Sequence, residues 1–363
     1  MPTLFSPILI GAIQASNRIM MAPLTRCRAI GHTPTELMAT YYAQRASAGM
    51  IVAEATMVIE GNAAFTNEPG IYSPAQVEGW RKVTNAVHAN GGRILLQLWH
   101  GGRACHPLIN GGQQPIAPSA IAIMDSNFTT PNGAVPYAVP RALEDDEISG
   151  VVEGFRLAAV NAKNAGFDGV EVHGANGYLV DQFLRDGSNK RTGPYGGSAQ
   201  NRVRFLMEIL QAICGSWDAG RVGLRISPLN SFNDVIDSDP VGTYTSLAEN
   251  LNAFNLAFLH VMRADFAGRQ SGDVLTPLRK AFKGSIIANM GYTIQEAEDA
   301  IKNGLVDAVA FGKYFIANPD LPARIKAGSA FNELKPANFY SQGPAGYTDY
   351  PALDAQVSST LHA

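Results

Sequence analysis

Short, nearly continuous apolar runs alternate with longer segments of helical period along most of the chain. Runs of this kind are typical of parallel strands that are buried on both faces. The pattern predicts eight such strands, at residues 18–23, 50–58, 93–100, 168–173, 221–226, 257–262, 285–289 and 308–311. Eight strands that are each followed by a helical segment indicate an α/β fold of the (β/α)8 (TIM) barrel type.

Several of the predicted helices start with a capping sequence. A Ser, Thr, Asp or Asn cap next to Pro, or followed three residues later by Glu or Gln, marks a helix N-terminus. Such signals occur at 33–36, 73–76, 239–240, 293–296 and 318–319. An open doubly wound sheet is the alternative fold, but no GxGxxG motif follows the first predicted strand.

Two segments lie outside the repeating units. Residues 4–16 precede the first barrel strand, and we expect them to form a β-hairpin that covers the barrel floor. Residues 101–145 follow the third strand and are rich in Gly, Pro and polar residues. We expect this capping loop to lie over the mouth of the barrel as a lid. The whole chain, 1–363, is therefore predicted to be one decorated barrel domain.

Composition excludes several classes of protein. Among 363 residues, 28 Lys and Arg face 31 Asp and Glu, and charged residues make up 16%, against about 25% in an average protein. This argues against nucleic-acid or membrane partners, which need clustered basic residues. No apolar run approaches the ~18 residues of a membrane span. Three widely spaced cysteines and a first basic residue at Arg18 favour a reduced, cytoplasmic protein.

In a barrel of this type the active site is built at the carboxyl ends of the strands. Polar residues at those ends, in otherwise apolar surroundings, are therefore the candidates for chemistry. They are Thr25, Gln97, His100, His173 and Arg225, with Asn176 and Tyr178 in the loop after the fourth strand.

Arg225 stands inside an apolar strand, where an unpaired guanidinium is costly. It either forms a buried ion pair, with Glu54 or Glu171 on neighbouring strands, or faces an anionic group of a ligand. Gln97 has the same two interpretations: a core glutamine with satisfied hydrogen bonds, or an amide that pairs with the edge of a heterocycle.

The ends of the seventh and eighth strands carry a second signal. Gly291 and Gly312 allow backbone N–H groups to approach an anion, and Lys313 adds positive charge. Barrels often bind phosphate at these two strands, so the sequence favours a ligand that bears phosphate.

The loop after the fourth strand carries the sharpest cluster. His173 and Asn176 can donate hydrogen bonds to an oxygen that gains negative charge, and Tyr178 can donate a proton. Ordinary polar loop residues are the alternative. A metal site is disfavoured, because no His-x-His or carboxylate set accompanies His173.

Several motifs, in order along the chain, resemble the old yellow enzyme family, in its ene-reductase branch. Thr25 agrees with that branch, because a related branch usually has Cys there. The motifs cover nearly the whole chain and lie at 21–26, 97–103, 172–179, 181–184, 189–192, 195–198, 311–312, 316–321 and 347–351.

The resemblance implies an FMN-containing enzyme with NADPH or NADH as hydride donor. It would reduce the activated C=C bond of α,β-unsaturated carbonyl or nitro compounds by a ping-pong hydride transfer. Reduction of nitrate esters and other nitro compounds is the alternative activity. The partners implied are small-molecule alkenes, for a monomer or a homodimer.

The resemblance also implies roles for individual residues. His173 and Asn176 would bind the carbonyl or nitro oxygen of the substrate, and Tyr178 would protonate the α-carbon. Tyr72, Trp99 and Tyr350 would shape the substrate pocket. FMN would be held by Pro23, Leu24, Thr25, Ala55, Gln97, Arg225, Gly291, Gly312 and Lys313.

Two residues depart from the family pattern. Lys313 stands where the family usually has Arg, so the phosphate loses a bidentate partner. Met290 stands where many relatives have a small residue, which bears on the shape of the phosphate loop. From the residues alone, two other classes stay open: a phosphate-binding lyase or isomerase without flavin, and a non-catalytic flavin-binding protein.

Overall fold

The computed structural model of the protein describes residues 1–130 and 132–353. Its strands are β1 (Ile8–Ile10), β2 (Ile13–Ala15), β3 (Ile19–Met21), β4 (Ile51–Met57), β5 (Ile94–Trp99), β6 (Ile116–Ala117), β7 (Asn127–Thr130), β8 (Gly133–Pro136), β9 (Arg141–Ala142), β10 (Gly169–Gly174), β11 (Val222–Ile226), β12 (Phe258–Met262), β13 (Ser285–Asn289) and β14 (Ala308–Phe311). Eight of them, β3 to β5 and β10 to β14, run parallel and close into a barrel in chain order. The predicted barrel and the positions of its eight strands are confirmed.

Helices surround the barrel and cover the outer face of its strands. The α-helices are α1 (Glu36–Ala43), α2 (Pro74–Ala89), α3 (Ile148–Asn164), α4 (Leu179–Leu184), α5 (Ala199–Arg202), α6 (Arg204–Cys214), α7 (Pro240–Leu251), α8 (Leu275–Ala281), α9 (Ile294–Lys302), α10 (Lys313–Ala317) and α11 (Leu321–Ala327). Short 3-10 helices lie at Ile30–His32, Gly102–Ala104, Pro107–Ile109, Ala219–Arg221 and Pro336–Asn338. Within the described ranges, no helix combines the length and hydropathy needed to cross a bilayer.

Three of the five predicted helix starts are confirmed. Ser73 and Thr293 each cap a helix with a full capping box, closed by Gln76 and Glu296. Asp239 caps α7 by accepting a hydrogen bond from the backbone N–H of Gly242. These side chains satisfy N–H groups that the first helical turn leaves free.

The other two starts were predicted wrongly. Helix α1 is capped by Thr35, whose hydroxyl accepts from the N–H of Met38, so Pro34 precedes the helix. Asn318 caps no helix N-terminus: its amide donates to the Tyr314 carbonyl and accepts from the N–H of Asn332. Helix α11 begins two residues later, after Asp320. The Thr33 hydroxyl donates to the nearby Gly31 carbonyl instead of capping α1, and the Asn318 side chain is engaged by the more distant Asn332.

The barrel floor is covered by the N-terminal hairpin, as predicted. Strands β1 and β2 pair antiparallel, and the N–H of Ala12 in their turn donates to the Gly220 carbonyl at 2.7 Å. Gly11 has a φ of 57°, and a Cβ there would lie 2.2 Å from the same carbonyl oxygen. Only glycine therefore fits this turn. Apolar side chains of the hairpin join those of the barrel interior in one buried cluster.

The segment after β5 is the long insertion that the sequence predicted. It contains the antiparallel pair β7–β8 and the short parallel pair β6–β9. Arg103 ties it to the loop after β11, because its Nη2 donates to the carbonyls of Asn233 and Asp234. Ile123 and Tyr137 of this segment belong to the apolar cluster that contains Tyr178. The insertion therefore lies on the side of the barrel where strands β5 and β10 end.

Candidate active site

A cavity of about 960 Å³ opens at the carboxyl ends of the barrel strands. Twelve of the fifteen predicted site residues line it, contributed by strands and loops from β3 to β14. They are Pro23, Leu24, Thr25, Ala55, Gln97, His173, Asn176, Tyr178, Arg225, Gly291, Gly312 and Lys313. The closed barrel thus brings together residues that are separated by up to 290 positions in the chain.

The structure does not bring the other three predicted residues to the lining of this cavity. Trp99 is fully buried behind Tyr178, with the ring centroids 5.0 Å apart in an edge-to-face arrangement. Tyr350 lies in a separate apolar cluster and accepts a hydrogen bond from the N–H of Lys335. Tyr72 lines a different, open surface pocket beside α2. Trp99 and Tyr72 pack in the apolar cluster that contains Tyr178, and Tyr350 packs with Ile316 and Ala317.

Arg225 is buried and forms no ion pair with any acidic residue that the structure describes. Its Nη2 donates to Oδ1 of Asn289 at 3.0 Å, while its Nε has no partner in the described part of the chain. Burial lowers the pKa of the guanidinium and Glu171 opposes that shift, but arginine keeps its proton in proteins. The cavity therefore contains a buried cation with hydrogen-bonding capacity to spare.

The two carboxylates considered as partners of Arg225 are engaged elsewhere. Glu54 accepts from the backbone N–H of Arg26 and from the Tyr42 hydroxyl. Glu171 accepts from Nε2 of Gln97 at 2.7 Å and pairs with Nδ1 of His260 at 2.8 Å. The interpretation of Arg225 as half of a buried ion pair is therefore wrong, and the interpretation as a ligand contact is favoured.

His173 presents a hydrogen-bond donor at the cavity. Burial and the neighbouring Arg225 lower the pKa of its imidazole well below the ordinary value, so the ring is neutral. Its Nδ1 accepts a hydrogen bond from the backbone N–H of Ala175 at 3.3 Å. In a neutral ring the proton must then lie on Nε2.

Asn176 is oriented by a relay of hydrogen bonds. The backbone N–H of Phe266 donates to Oδ1 of Asn230, which fixes the amide of Asn230. Nδ2 of Asn230 then donates to Oδ1 of Asn176 at 2.8 Å. The carbonyl oxygen of the Asn176 side chain is thereby occupied, and its Nδ2 remains as the donor at the cavity.

The backbone of the same loop is specialised. Asn176 has a φ of 58° and Gly177 a φ of 70°, both in the left-handed region that Asn and Gly tolerate best. A Cβ on Gly177 would lie 2.5 Å from the Phe232 carbonyl oxygen. This turn places Tyr178 at the start of α4.

Tyr178 is buried between two aromatic neighbours. Its ring meets His173 edge to face at 5.2 Å and Trp99 at 5.0 Å. Burial, followed by the charge of Glu68, raises the pKa of its phenol above the ordinary value. The hydroxyl is therefore protonated at neutral pH and has a proton that it can donate.

The turn after β13 is held in a strained conformation. Met290 has a φ of 85° and Gly291 a φ of 69°, and a non-glycine residue in the left-handed region costs roughly 1–2 kcal/mol. Arg263 stabilises the turn, since Nε donates to the Met290 carbonyl at 2.9 Å and Nη2 to the Gly291 carbonyl at 3.0 Å. The guanidinium also stacks over the Tyr292 ring. Arg263 therefore holds the turn with Met290 in its left-handed conformation.

Lys313 is exposed at the other side of this part of the cavity and begins α10. It forms no salt bridge with any described residue, so its ammonium group is available to a ligand. Gly312 precedes it, and a Cβ there would approach Cδ2 of Leu24 to 3.3 Å.

Several functional candidates were missed from the sequence. Asn289, which binds Arg225, is the last residue of a predicted strand, so the strand-end rule could have found it. The aromatic lining residues Phe232, Phe266 and Tyr340 lie on loops that carry no periodic signal. Phe232 packs edge to face on Phe266, and both are partly exposed at the mouth.

Comparisons with known proteins identify the family of this chain. A family model described as "NADH:flavin oxidoreductase / NADH oxidase family" matches residues 3–332. A probable flavin mononucleotide-dependent alkene reductase of Leishmania infantum is 48% identical over 356 residues, which cover 96% of this chain and 97% of that protein.

Solved structures agree with the sequence comparison. Morphinone reductase in complex with tetrahydroNAD superposes with a TM-score of 0.94 at 44% identity, covering 98% of this chain and 99% of that one. Old yellow enzyme from Trypanosoma cruzi gives 0.95 at 44% identity, covering 97% and 99%. The chain therefore belongs to the NADH:flavin oxidoreductase / NADH oxidase family, and its resemblance to old yellow enzyme is confirmed.

Proposed function

We propose that this protein is an FMN-dependent ene-reductase, which uses NADPH or NADH to reduce the activated C=C bond of α,β-unsaturated carbonyl or nitro compounds. One observation carries the proposal: two fixed donors, His173 and Asn176, share a cavity with the buried, protonated phenol of Tyr178. Alkene reduction needs this combination, because charge develops on the electron-withdrawing oxygen while a carbon must gain a proton.

The described residues fit FMN. The buried cation of Arg225 with its unpartnered Nε suits the polar edge of the flavin ring, and Gln97 lines the same cavity. The strained turn at Gly291 and the free ammonium of Lys313 suit the phosphate. The remaining predicted contacts, Pro23, Leu24, Thr25, Ala55 and Gly312, complete the lining. When bound, FMN supplies the hydride chemistry.

The chain's own residues bind and orient the alkene. Nε2 of His173 and Nδ2 of Asn176 donate to the carbonyl or nitro oxygen and stabilise the negative charge that develops there. Because the imidazole is neutral, this stabilisation does not depend on protonating His173. The apolar rings at the mouth exclude water from the bound substrate.

Tyr178 delivers the proton. Its hydroxyl donates the proton to the α-carbon. The raised pKa of the phenol keeps this hydroxyl protonated over the working pH range. The donor is replenished from solvent after each turnover. The nicotinamide donor and the alkene occupy the same cavity in turn, which gives ping-pong kinetics.

The proposal extends to the domain organisation, the compartment and the oligomeric state of the protein. The barrel with its hairpin and the capping segment at 101–145 forms one domain over 1–363, with the capping segment as a lid. The protein acts on small molecules in the cytoplasm, as a monomer or a homodimer. Its three cysteines are free thiols, two of them buried, which agrees with a reducing compartment.

One spectroscopic experiment tests the activity. The purified protein should be yellow, should bleach with NADPH under anaerobic conditions, and should regain its colour when cyclohexenone is added. A colourless protein that binds no added FMN contradicts the proposal. A yellow protein that neither NADPH nor NADH bleaches is a flavin-binding protein without this activity.

A further inference from the structure

Glu171 is a fully buried carboxylate that contacts the cavity-lining Gln97 and takes no part in the proposed chemistry. It lies in β10 beside Gln97 of β5, in register. One of its oxygens accepts from Nε2 of Gln97 at 2.7 Å, and the other pairs with Nδ1 of His260 at 2.8 Å. Burying a carboxylate costs free energy. The two hydrogen bonds of Glu171 offset part of this cost, and one of them fixes a side chain that lines the cavity.

The first consequence concerns the orientation of Gln97. An amide can present either its oxygen or its nitrogen to a ligand. Because a carboxylate accepts only, Glu171 binds the Nε2 end and leaves the carbonyl oxygen of Gln97 as an acceptor. Gln97 lines the cavity, so this acceptor suits an N–H on the pyrimidine edge of a flavin.

The second consequence concerns charge. His260 is neutral, since burial lowers the pKa of its imidazole and a proton on Nε2 would create an unpartnered cation beside Arg225, its register neighbour. His260 therefore donates to Glu171 without cancelling its charge. Glu171 and Arg225, on the adjacent strands β10 and β11, therefore place one negative and one positive charge close to the cavity.

We propose that Glu171 is a positioning residue of the FMN site: it orients the Gln97 amide, with His260 as its second anchor, and its negative charge lowers the reduction potential of the bound flavin. This inference rests on the proposed function. Arg225 attracts the charge that a flavin gains on reduction, and Glu171 moderates that attraction. The pair therefore sets the potential between the values that either charge alone would impose.

The test compares Glu171→Gln with Glu54→Gln. Both substitutions keep the side-chain shape and remove a buried carboxylate, but Glu54 binds Tyr42 and the Arg26 backbone rather than Gln97. FMN affinity is measured by fluorescence titration of the apoprotein, and the potential by equilibration with a reference dye. Glu54→Gln should leave both unchanged.

Glu171→Gln should weaken binding of oxidised FMN about tenfold more than binding of the reduced form. For a two-electron couple this ratio corresponds to a potential about 30 mV less negative. Gln97→Leu should weaken FMN binding as well. Introducing Glu171→Gln into the Gln97→Leu variant should weaken FMN binding by a smaller factor than Glu171→Gln does in the wild type. The reason is that Gln97→Leu leaves no amide for Glu171 to orient.

An unchanged affinity and potential in Glu171→Gln overturns the inference while leaving the proposed function intact. Failure of the wild-type protein to bind FMN overturns the proposed function itself. If Glu171→Gln does not fold, His260→Leu decides in its place. Loss of the Nδ1 donor removes the second anchor of Glu171 and with it the fixed orientation of the Gln97 amide. FMN should therefore bind more weakly in His260→Leu, and an unchanged affinity overturns the inference.

Discussion

Nδ2 of Asn230 lies 2.8 Å from Oδ1 of Asn176 and donates a hydrogen bond to it. Since Asn230 is itself fixed by the N–H of Phe266, this contact decides which end of the Asn176 amide faces the cavity. A residue outside the set predicted from the sequence thus controls the polarity of one of the two proposed oxygen ligands.

Replacing Asn230 by Asp should invert Asn176. Asp keeps the acceptor for Phe266 but turns the donor towards Asn176 into an acceptor, so the Asn176 amide should rotate and present its oxygen to the cavity. Affinity for a phenol, measured by titration of the flavin absorbance, should fall about tenfold, as for the loss of ~1.4 kcal/mol. Asn230→Ala removes the donor without adding an acceptor, so the Asn176 amide can still present either end to the cavity. The loss of phenol affinity should therefore be smaller. Equal affinity in Asn230→Asp and the wild type would contradict the relay.

Removing the hydroxyl of Tyr178 should separate the two halves of the reaction. Tyr178→Phe keeps the aromatic contacts with His173 and Trp99 but removes the proton donor. Stopped-flow measurements should show alkene reduction slowed by about 10²–10⁴, the usual contribution of a general acid, with flavin reduction by NADPH nearly unchanged. Equal losses of rate in both half-reactions would contradict the assignment of Tyr178 as proton donor.

Arg263 should govern FMN affinity without changing the flavin potential. It holds the carbonyls of the strained turn at Met290 and Gly291, and the turn should relax in Arg263→Ala. We expect FMN to bind about tenfold more weakly, a loss of ~1.4 kcal/mol. Arg269→Ala is the matched control, because Arg269 pairs with Asp125 and Asp234 instead. A turn that contributes nothing to FMN binding would leave both variants at wild-type affinity.

Buried His100 should make the protein sensitive to acid. Burial lowers the pKa of its imidazole to about 3, whereas an unfolded histidine titrates near ~6.5. The contribution of His100 to the free energy of unfolding is therefore fully present above about pH 6.5. It falls as the pH drops towards 3, because only the unfolded state takes up the proton. Between pH 7 and 5 this one group should remove about 2 kcal/mol.

The acid sensitivity is measured by urea unfolding at the two pH values. His100→Gln should lose less stability than the wild type over this interval, since Gln can still accept from the Gly102 N–H that His100 binds. His32→Gln, at a half-buried position, is the control and should show the wild-type difference. An identical difference in His100→Gln would exclude His100 as the source.

Much of the fold could be predicted because its signals are local. Each barrel strand is buried on both faces and so reads as an apolar run, which is why all eight strands were found. The capping boxes at Ser73 and Thr293 are equally local. The cap predicted at Asn318 was wrong because its side chain binds Asn332, fourteen residues away.

Residues at strand ends were found for the same reason, since the barrel carries them to one mouth wherever they lie in the chain. Trp99 shows the limit of that rule. It also ends a strand, yet its side chain is buried behind Tyr178 instead of lining the cavity. The direction in which a side chain points at the end of a strand depends on its neighbours.

The sequence by itself determined the barrel, its hairpin floor, the family and most of the cavity lining, because periodicity and strand-end position are properties of short segments. Only the tertiary structure decided the charge and hydrogen-bond state of those residues. Asn230 orients Asn176 across 54 positions, and Glu171 reaches Gln97 across 74. Such contacts depend on which loops and strands the closed barrel makes adjacent, and a local pattern contains no information about that adjacency.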